Sequence, residues 1–388
     1  MITKIANSIK NTKNYKEVSL NNLHISSGWF DSSVSFGEPG YEERETIANG
    51  LDVAAKSGFT SVLLNANSQP VIDSNADINY VLSKAANHAV TLNVLGALTK
   101  ESKGESLAEM FDMTSAGAVG FYDYKKPLSN ANLMKIALQY ASTFNGLVCA
   151  FPKDASIAKN GVMHEDLTST TLGLKGIPSL AEELQVARDL YLLEYTNGKL
   201  HIPTVSTAKS VALIREAKAK KLDVTCSVAI HNLILTDEAL HEFNTNFKVN
   251  PPLRSQNDID ALIKGLNDGT IDMVTSDHDP INIEHKKVEF DYALEGTIGL
   301  ESAFGVLHNS FTLKKTIDYL TKGKARFNLG VSSIDIGHTI DATLFNPKER
   351  YTMTLEHIHS KSKNTLFKNV KLKGRVYGII ANGTLVLN

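Results

Sequence analysis

Short apolar segments alternate with helix-length amphipathic segments along most of this chain of 388 residues. The segments 61–64 and 271–274 come close to continuous apolar runs, as expected of strands buried on both faces of a parallel sheet. The predicted strands lie near 28–35, 61–67, 92–98, 118–122, 147–151, 199–205, 222–229 and 271–278. Eight strands interleaved with helices predict an α/β fold, a closed parallel (β/α)8 TIM barrel, with an open doubly wound sheet as the less specific alternative.

The segments between the strands carry the spacing of amphipathic helices. The predicted helices lie at 42–57, 130–143, 179–196, 208–221 and 255–268. Ser179 followed by Glu182 predicts a capping box at the start of the third of these helices, and Asn197-Gly198 predicts its end.

The last ~50 residues have a different pattern, since apolar and polar residues alternate at 340–345 and again at 371–388, as they do in small antiparallel strands. We therefore predict two domains. The barrel takes residues 28–335, and residues 1–27 together with 336–388 form a small, reduced β-sandwich.

Charge and cysteine content exclude several classes of function. A formal net charge of −2 gives no long-range attraction to nucleic acid or to an anionic membrane, and no apolar run approaches the ~18–20 residues that span a bilayer. The basic segment 361–375 is interpreted as a solvated face of the terminal strands. Cys149 and Cys226 both lie in apolar runs, which predicts a chain without disulfides in the cytoplasm.

The segment 28–40 reads Gly-Trp-Phe-Asp-Ser-Ser-Val-Ser-Phe-Gly-Glu-Pro-Gly. It resembles the first barrel strand of dihydroorotases, cyclic amidohydrolases in which Gly-Phe-x-Asp-x-His-x-His-x-Arg-Glu-Pro-Gly supplies two zinc ligands and a substrate-binding arginine. The corresponding positions here are Ser33, Ser35 and Gly37. Side chains at i and i+2 share one face of a strand, so both would point at one metal. Zn²⁺ takes thiolate, imidazole or carboxylate, and a neutral hydroxyl is a poor substitute.

The resemblance continues in the same order to the end of the chain. The matching segments are 65–70, 95–100, 176–183, 200–207, 250–254, 275–280, 299–301, 341–345, 360–367 and 372–376. The departure is at the N-terminus, where only 27 residues precede the first barrel strand and the family has roughly twice as many.

The resemblance also assigns the site residues. It implies that Asp277 is the remnant of the general base and that Asp123 matches a metal-bridging aspartate. Asn67 and Asn250 match substrate contacts, and Ile281 stands in place of a substrate-contacting histidine. The four imidazole positions are occupied by Ser33, Ser35, Phe151 and Thr204. The family cofactor is zinc, but with these replacements we predict no bound metal.

His201 does not replace the lost imidazole at Thr204. It lies three residues earlier, so on a strand it faces the opposite side, and we interpret it as a packing residue. Two carboxylates alone could hold Mg²⁺ or Ca²⁺ weakly. A serine nucleophile at Ser33 or Ser35 would need a base such as His278 or His231.

Two functions remain open. The first is a non-catalytic dihydroorotase-like protein of pyrimidine (UMP) biosynthesis that serves as structural partner of aspartate transcarbamoylase, forms a homo-oligomer, or both. The second is an active dihydroorotase or other cyclic-amide hydrolase with a rebuilt metal site, converting dihydroorotate to N-carbamoyl-aspartate. Because two carboxylates without a metal leave uncompensated buried charge, we also predict that Lys153 or His278 pairs with Asp123 or Asp277.

Overall fold

The computed structural model describes residues 18–330 and 333–388. Its strands are β1 (His24–Ser27), β2 (Trp29–Val34), β3 (Phe59–Leu64), β4 (Thr91–Gly96), β5 (Ala118–Phe121), β6 (Val148–Cys149), β7 (Met163–His164), β8 (Gly176–Ile177), β9 (Leu200–Ile202), β10 (Val224–Ala229), β11 (Met273–Thr275), β12 (Ala342–Thr352), β13 (Lys371–Ala381) and β14 (Thr384–Leu387). All eight strands predicted from the sequence are present, although most are shorter than predicted.

Those eight strands form one parallel sheet in the order β11-β10-β9-β6-β5-β4-β3-β2. The two edge strands meet just beyond their ends, where Val34 bridges His278 in parallel and the Ser35 amide donates to the His278 carbonyl over 2.7 Å. The sheet is therefore closed, and the predicted (β/α)8 barrel is confirmed.

Helices connect the strands. They are α1 (Ile47–Lys56), α2 (Asn75–Lys84), α3 (Met110–Ala116), α4 (Ala131–Ser142), α5 (Ala155–Ala158), α6 (Leu167–Leu172), α7 (Ser179–Thr196), α8 (Ala208–Ala219), α9 (Gln256–Asp268), α10 (Ile283–Lys286), α11 (Leu300–Ser310) and α12 (Leu313–Thr321). None of the helices in the described ranges is long and apolar enough to cross a bilayer.

The predicted capping box at α7 is wrong. Pro178 is the N-cap, and it offers no side-chain acceptor to the helix. Glu182 instead points into the protein, where its carboxylate accepts hydrogen bonds from the backbone amides of Ser206 and Thr207 over 2.9 and 3.0 Å. A stronger set of buried donors outcompetes the helix end for this carboxylate. The predicted stop is right, because Asn197 ends α7 in a left-handed conformation.

Two apolar layers hold the barrel together. The outer layer packs the helices against the sheet. The inner layer fills the barrel interior with side chains that come mainly from the strands and the residues flanking them. Its members are Phe30, Leu63, Leu95, Tyr122, Tyr124, Leu147, Cys149, Phe151, Met273 and Phe327. The interior is thus a packed core, as in other barrels of eight strands, and polar side chains gather at the C-terminal ends of the strands.

The ends of the described chain form a separate antiparallel sheet in the order β1-β12-β13-β14. This sheet packs through β13 against α11 and α1 of the barrel. Part of the predicted accessory domain, residues 1–17, lies outside the described residues. The domain boundaries at 28 and 335 therefore stay a prediction.

Candidate functional site

Asp277 lies at the C-terminal mouth of the barrel, two residues beyond the end of β11. Its side chain is 1% exposed, and its backbone is in the left-handed region at φ 50°. Residues other than glycine adopt that region at some cost in free energy. Such backbone strain is typical of functional sites. The Ser33 hydroxyl donates to Asp277 Oδ1 over 3.3 Å, so the mouth brings together the residues that the resemblance matches to the general base and to a metal ligand.

Lys125 is the main partner of Asp277. Its ammonium lies 2.8 Å from Asp277 Oδ2 and 3.8 Å from Asp279 Oδ2. The Tyr124 hydroxyl donates to the same Asp279 oxygen over 3.3 Å. Both members of the closer pair are buried, with side chains 10% and 1% exposed. A lysine that the sequence analysis did not single out therefore provides the cation of the mouth.

The pKa values reflect burial and this pairing. Burial raises the pKa of Asp277 to about 6, although the Lys125 ammonium pulls it down. Burial alone would lower the pKa of Lys125, but Asp277 and Asp279 raise it above its usual value. At neutral pH the pair is therefore charged on both sides, with Asp277 the group closer to neutralisation.

Asn65 forms hydrogen bonds with Ser33 in β2 and with Ser35, which follows that strand. Its Nδ2 donates to Ser33 Oγ over 3.1 Å and to Ser35 Oγ over 3.4 Å. The sequence analysis selected Asn67 instead, two residues along. The two serines are 5% and 3% exposed, so they are held within a polar network and not presented to solvent.

Phe151 closes the mouth from the side of β6. It is 2% exposed and belongs to the apolar core inside the barrel, together with Tyr122 and Tyr124. At the position that the resemblance gives to an imidazole, the side chain thus continues the packing of the barrel interior towards the mouth.

Other predicted positions at the strand ends keep polar atoms without partners in the described structure. These atoms are Asn67 Oδ1, Thr204 Oγ1 and Asn250 Oδ1, together with both ring nitrogens of His231. Thr204 also keeps a left-handed backbone at φ 50°, which is costly for a β-branched residue. Buried polar groups without hydrogen-bond partners and strained backbone are both typical of functional sites.

Asp123 does not point its charge at Asp277. Its Oδ1 accepts from the backbone amides of Leu98 and Thr99 over 2.9 and 3.0 Å, and its Oδ2 accepts from the Thr99 hydroxyl. Both oxygens are thus used to fix the loop after β4. Asp123 serves this loop, and the turn that follows it carries Lys125.

Gly37 stands where the resemblance expects an arginine. A Cβ atom at this position would lie 1.9 Å from the Tyr41 carbonyl oxygen, which is backbone. The loop is held in that position by hydrogen bonds between Gly37 and the backbone of Tyr41 and Glu45. The backbone fills the space that an arginine side chain would need to leave the chain, so this carboxylate clamp is closed off.

The predicted partners of the aspartates are wrong. His278 pairs with Glu45, with 3.0 Å between Nε2 and Oε2, and both side chains are fully buried. Lys153 makes no ion pair within residues 18–330 and 333–388. Lys125 takes the role instead because the turn after β5 places it over Asp277. The rule that strand ends gather at one mouth covers Lys125 as well as Lys153, so this signal was present in the sequence.

His201 is a packing residue, as its position on the strand predicts. It is 3% exposed, its Nδ1 lies 2.9 Å from Thr225 Oγ1, and its ring packs edge-on against Phe327. Burial lowers its pKa to about 3. It stays neutral and faces away from the mouth.

These residues do not fit the zinc that the resemblance implies. Hydroxyl and aromatic side chains stand at the imidazole positions, and an ammonium lies against the carboxylate that remains. Within the described part of the chain, no three or more histidine, cysteine, aspartate or glutamate side chains are grouped so that they could hold a metal ion. The donor set lacks what zinc requires.

Comparisons with known proteins identify the family of this chain. The profile of the family described as Dihydro-orotase-like matches residues 24–210. A dihydroorotase of Pelotomaculum thermopropionicum is 44% identical over 368 residues, which cover 93% of this chain and 86% of that protein. A dihydroorotase of Ruminiclostridium cellulolyticum is 41% identical, covering 94% and 87%.

Solved structures share the fold. The L-hydantoinase (dihydropyrimidinase) from Arthrobacter aurescens has a TM-score of 0.82 at 19% identity, covering 94% of this chain and 85% of that one. The D-hydantoinase (dihydropyrimidinase) from Thermus sp. has a TM-score of 0.85 at 18% identity, covering 100% and 90%. The barrel architecture agrees with these structures, and the sequence relatives decide the family: the chain belongs to the dihydroorotases.

Proposed function

We propose that this chain is a non-catalytic dihydroorotase-family protein, a pseudoenzyme of pyrimidine biosynthesis that acts as structural partner of aspartate transcarbamoylase. The observation that carries the proposal is the state of Asp277. At the family's base position, the carboxylate lies between the Lys125 ammonium and the Ser33 hydroxyl. A base in this arrangement has no metal-bound water from which to take a proton.

Dihydroorotase chemistry needs a metal in two ways. The metal makes hydroxide from water at neutral pH, and it polarises the amide carbonyl that is attacked. Ser33, Ser35 and Thr204 can perform neither task, because a neutral hydroxyl group does not act as a Lewis acid. The closed loop at Gly37 also removes the arginine that would bind a substrate carboxylate bidentately. The replacements therefore argue against both catalysis and binding of the substrate carboxylate.

A structural role needs a surface for protein contact, and α7 offers one. Leu180, Leu184, Tyr191 and Tyr195 lie at helical spacing on one face of α7, and they are 54%, 47%, 76% and 69% exposed. Large apolar side chains grouped on one face in this way are typical of surfaces that bind another protein. This stripe supports the partner role, and we assign it the contact with aspartate transcarbamoylase.

Metal content and turnover test the loss of catalysis. Protein purified without chelators, then incubated with Zn²⁺ and dialysed, is expected to hold no stoichiometric zinc and to turn over neither dihydroorotate nor N-carbamoyl-aspartate. An active cyclic-amide hydrolase with a rebuilt site remains the competing function, and the high identity to proteins named dihydroorotase favours it. One zinc per chain together with turnover would establish that competitor and end our proposal.

Association is tested with the aspartate transcarbamoylase of the same organism, by sedimentation of the mixed proteins. The double variant Tyr191→Ser/Tyr195→Ser is expected to lose the complex while its melting temperature changes little, because both rings are exposed. The matched control is Tyr292→Ser, since Tyr292 is 79% exposed elsewhere on the surface. Co-sedimentation that persists in the α7 double variant would remove α7 from the contact, and no complex with the unmodified protein would refute the partnership.

A further inference from the structure

We infer that Lys125 is a built-in cation that takes the place of a metal ion at the barrel mouth, where it holds the carboxylates together and excludes divalent cations. The inference rests on the proposed non-catalytic function. It is tested by the stability and Mn²⁺ uptake of Lys125 variants, whereas turnover and partner association of the unmodified protein test that function, so the two can fail separately.

The position of Lys125 follows from the turn after β5. Asp123 fixes this turn to the loop after β4, and the Lys126 amide closes it by donating to the Asp123 carbonyl over 2.9 Å. The Lys125 amide donates to the Tyr122 hydroxyl over 3.2 Å, and its backbone adopts a left-handed φ of 54°. The strained backbone directs a long side chain back across the mouth of the barrel instead of into solvent.

The ammonium then meets two carboxylates from the opposite side of the barrel. Asp277 and Asp279 follow β11, whereas Lys125 follows β5. Three strands, β10, β9 and β6, separate β11 from β5 in the sheet. One positive charge therefore joins strand ends that share no backbone hydrogen bonds. A bridging metal ion would do the same mechanical work, and in a metal site those carboxylates would be its oxygen ligands.

Hydroxyl groups complete the surroundings of the two carboxylates. Ser33 donates to Asp277 and Tyr124 donates to Asp279, each over 3.3 Å. The Lys125 ammonium also lies 5.0 Å from the centre of the Tyr124 ring, a distance at which a cation is attracted to an aromatic face. All of these groups favour one cation at this point, and the lysine supplies it.

A resident ammonium and a divalent cation cannot share this point. Two cations a few ångströms apart in a buried site repel strongly, since the low local dielectric screens them little. Removing only the ammonium leaves two buried carboxylates with nearby hydroxyls, an oxygen set of the kind that Mn²⁺ accepts. A latent divalent-cation site is thus expected beneath Lys125.

The experiment compares Lys125→Met, which keeps most of the side-chain volume, with Lys153→Met, a lysine at the same end of the barrel without a described ion pair. Melting temperature is measured with and without Mn²⁺, and bound Mn²⁺ is measured by electron paramagnetic resonance. Lys125→Met is expected to melt about 5–10 °C below the unmodified protein. Mn²⁺ is expected to bind to this variant and to recover part of the loss, with no effect on the unmodified protein or Lys153→Met.

Two results would overturn the inference. One is a Lys125→Met protein as stable as Lys153→Met, and the other is equal Mn²⁺ binding by all three proteins or by none. If Lys125→Met does not fold, the neutral pair Lys125→Met/Asp277→Asn replaces it. That double variant is expected to fold and to bind no Mn²⁺, because one carboxylate is gone. Failure of the double variant to fold would show that the charge pair is not the reason Lys125 is needed.

Discussion

An aspartate follows each of β5 and β11, and the two side chains have different surroundings. The resemblance matches Asp123 to a metal-bridging aspartate and Asp277 to the general base. Asp123, after β5, is bound by two backbone amides and a hydroxyl. Asp277, after β11, is bound by an ammonium and a hydroxyl. Burial raises the pKa of both carboxyls, and for Asp277 it reaches about 6.

The difference shows two ways in which a buried carboxylate remains charged without a metal. Asp123 is stabilised by neutral donors that come from one neighbouring loop, so its charge is part of a local fold. Asp277 depends on a single cation from a turn that is distant in sequence, and the negative charges of Asp279 and Asp31 raise its pKa further. The first arrangement is robust to changes elsewhere in the mouth, and the second is not.

The largest effect is expected from Lys125→Met at alkaline pH. Loss of one member of a buried pair destabilises by about 3–5 kcal/mol. The folded-state pKa of Asp277 is already raised to about 6, and without Lys125 it rises further. A carboxyl with a raised folded-state pKa loses stability as pH increases through that pKa. The deficit should therefore be larger at pH 8 than at pH 5, where Asp277 takes up a proton.

Denaturant unfolding at the two pH values measures this difference. The groups facing the pair are Asp279 and Asp31 on the side of Asp277, with Glu295 and His231 on the side of Lys125. Lys125→Arg keeps the charge and should show a flat difference across this range. An equal loss at pH 5 and pH 8 for Lys125→Met would mean that Lys125 acts by packing alone.

A somewhat smaller effect is expected from Asp123→Ala. The change leaves the amides of Leu98 and Thr99 and the Thr99 hydroxyl without an acceptor, and unsatisfied buried donors cost about 1–3 kcal/mol each before relaxation. We expect a total loss of about 2–4 kcal/mol after water enters the loop. Asp123→Asn keeps one acceptor oxygen and should lose about half as much. A loss below that of Ser33→Ala would contradict the anchoring role.

Ser33→Ala should have the smallest effect of the three. The hydroxyl donates to Asp277 over a long 3.3 Å and accepts from Asn65. Because the bond to the charged carboxylate is long, we expect a loss of about 1–2 kcal/mol. The same denaturant measurement at neutral pH, with Ser32→Ala as the neighbouring control, checks this value. A loss comparable to that of Lys125→Met would mean that Ser33, and not Lys125, is the main partner of Asp277.

The positions of the barrel strands along the chain were predictable because they depend on hydrophobic patterning, a local property. The eight segments from 28–35 to 271–278 all became barrel strands. Their convergence at one mouth follows from the barrel topology, which places Ser33 beside Asp277. The family pattern added an expected chemical role for each strand-end position, which periodicity alone cannot supply.

The partner of Asp277 was not predicted, and the reason is geometric. Lys125 and Lys153 both follow barrel strands, and only the left-handed backbone at Lys125 decides which ammonium turns inward. Likewise, Glu182 had the spacing of a capping residue, but its carboxylate accepts hydrogen bonds from the buried amides of Ser206 and Thr207, which are distant in sequence. Side-chain direction depends on such long-range contacts, so spacing along the chain does not determine it.

The loop at Gly37 leaves no room for the arginine that the family pattern has at this position. Because the Tyr41 carbonyl occupies the place of a Cβ atom, any substitution at residue 37 must first displace the backbone of the loop that leads into α1. Restoring an arginine there would destabilise the protein before it could bind anything. An arginine at residue 37 could therefore contact a ligand only in a chain whose loop had first been rebuilt.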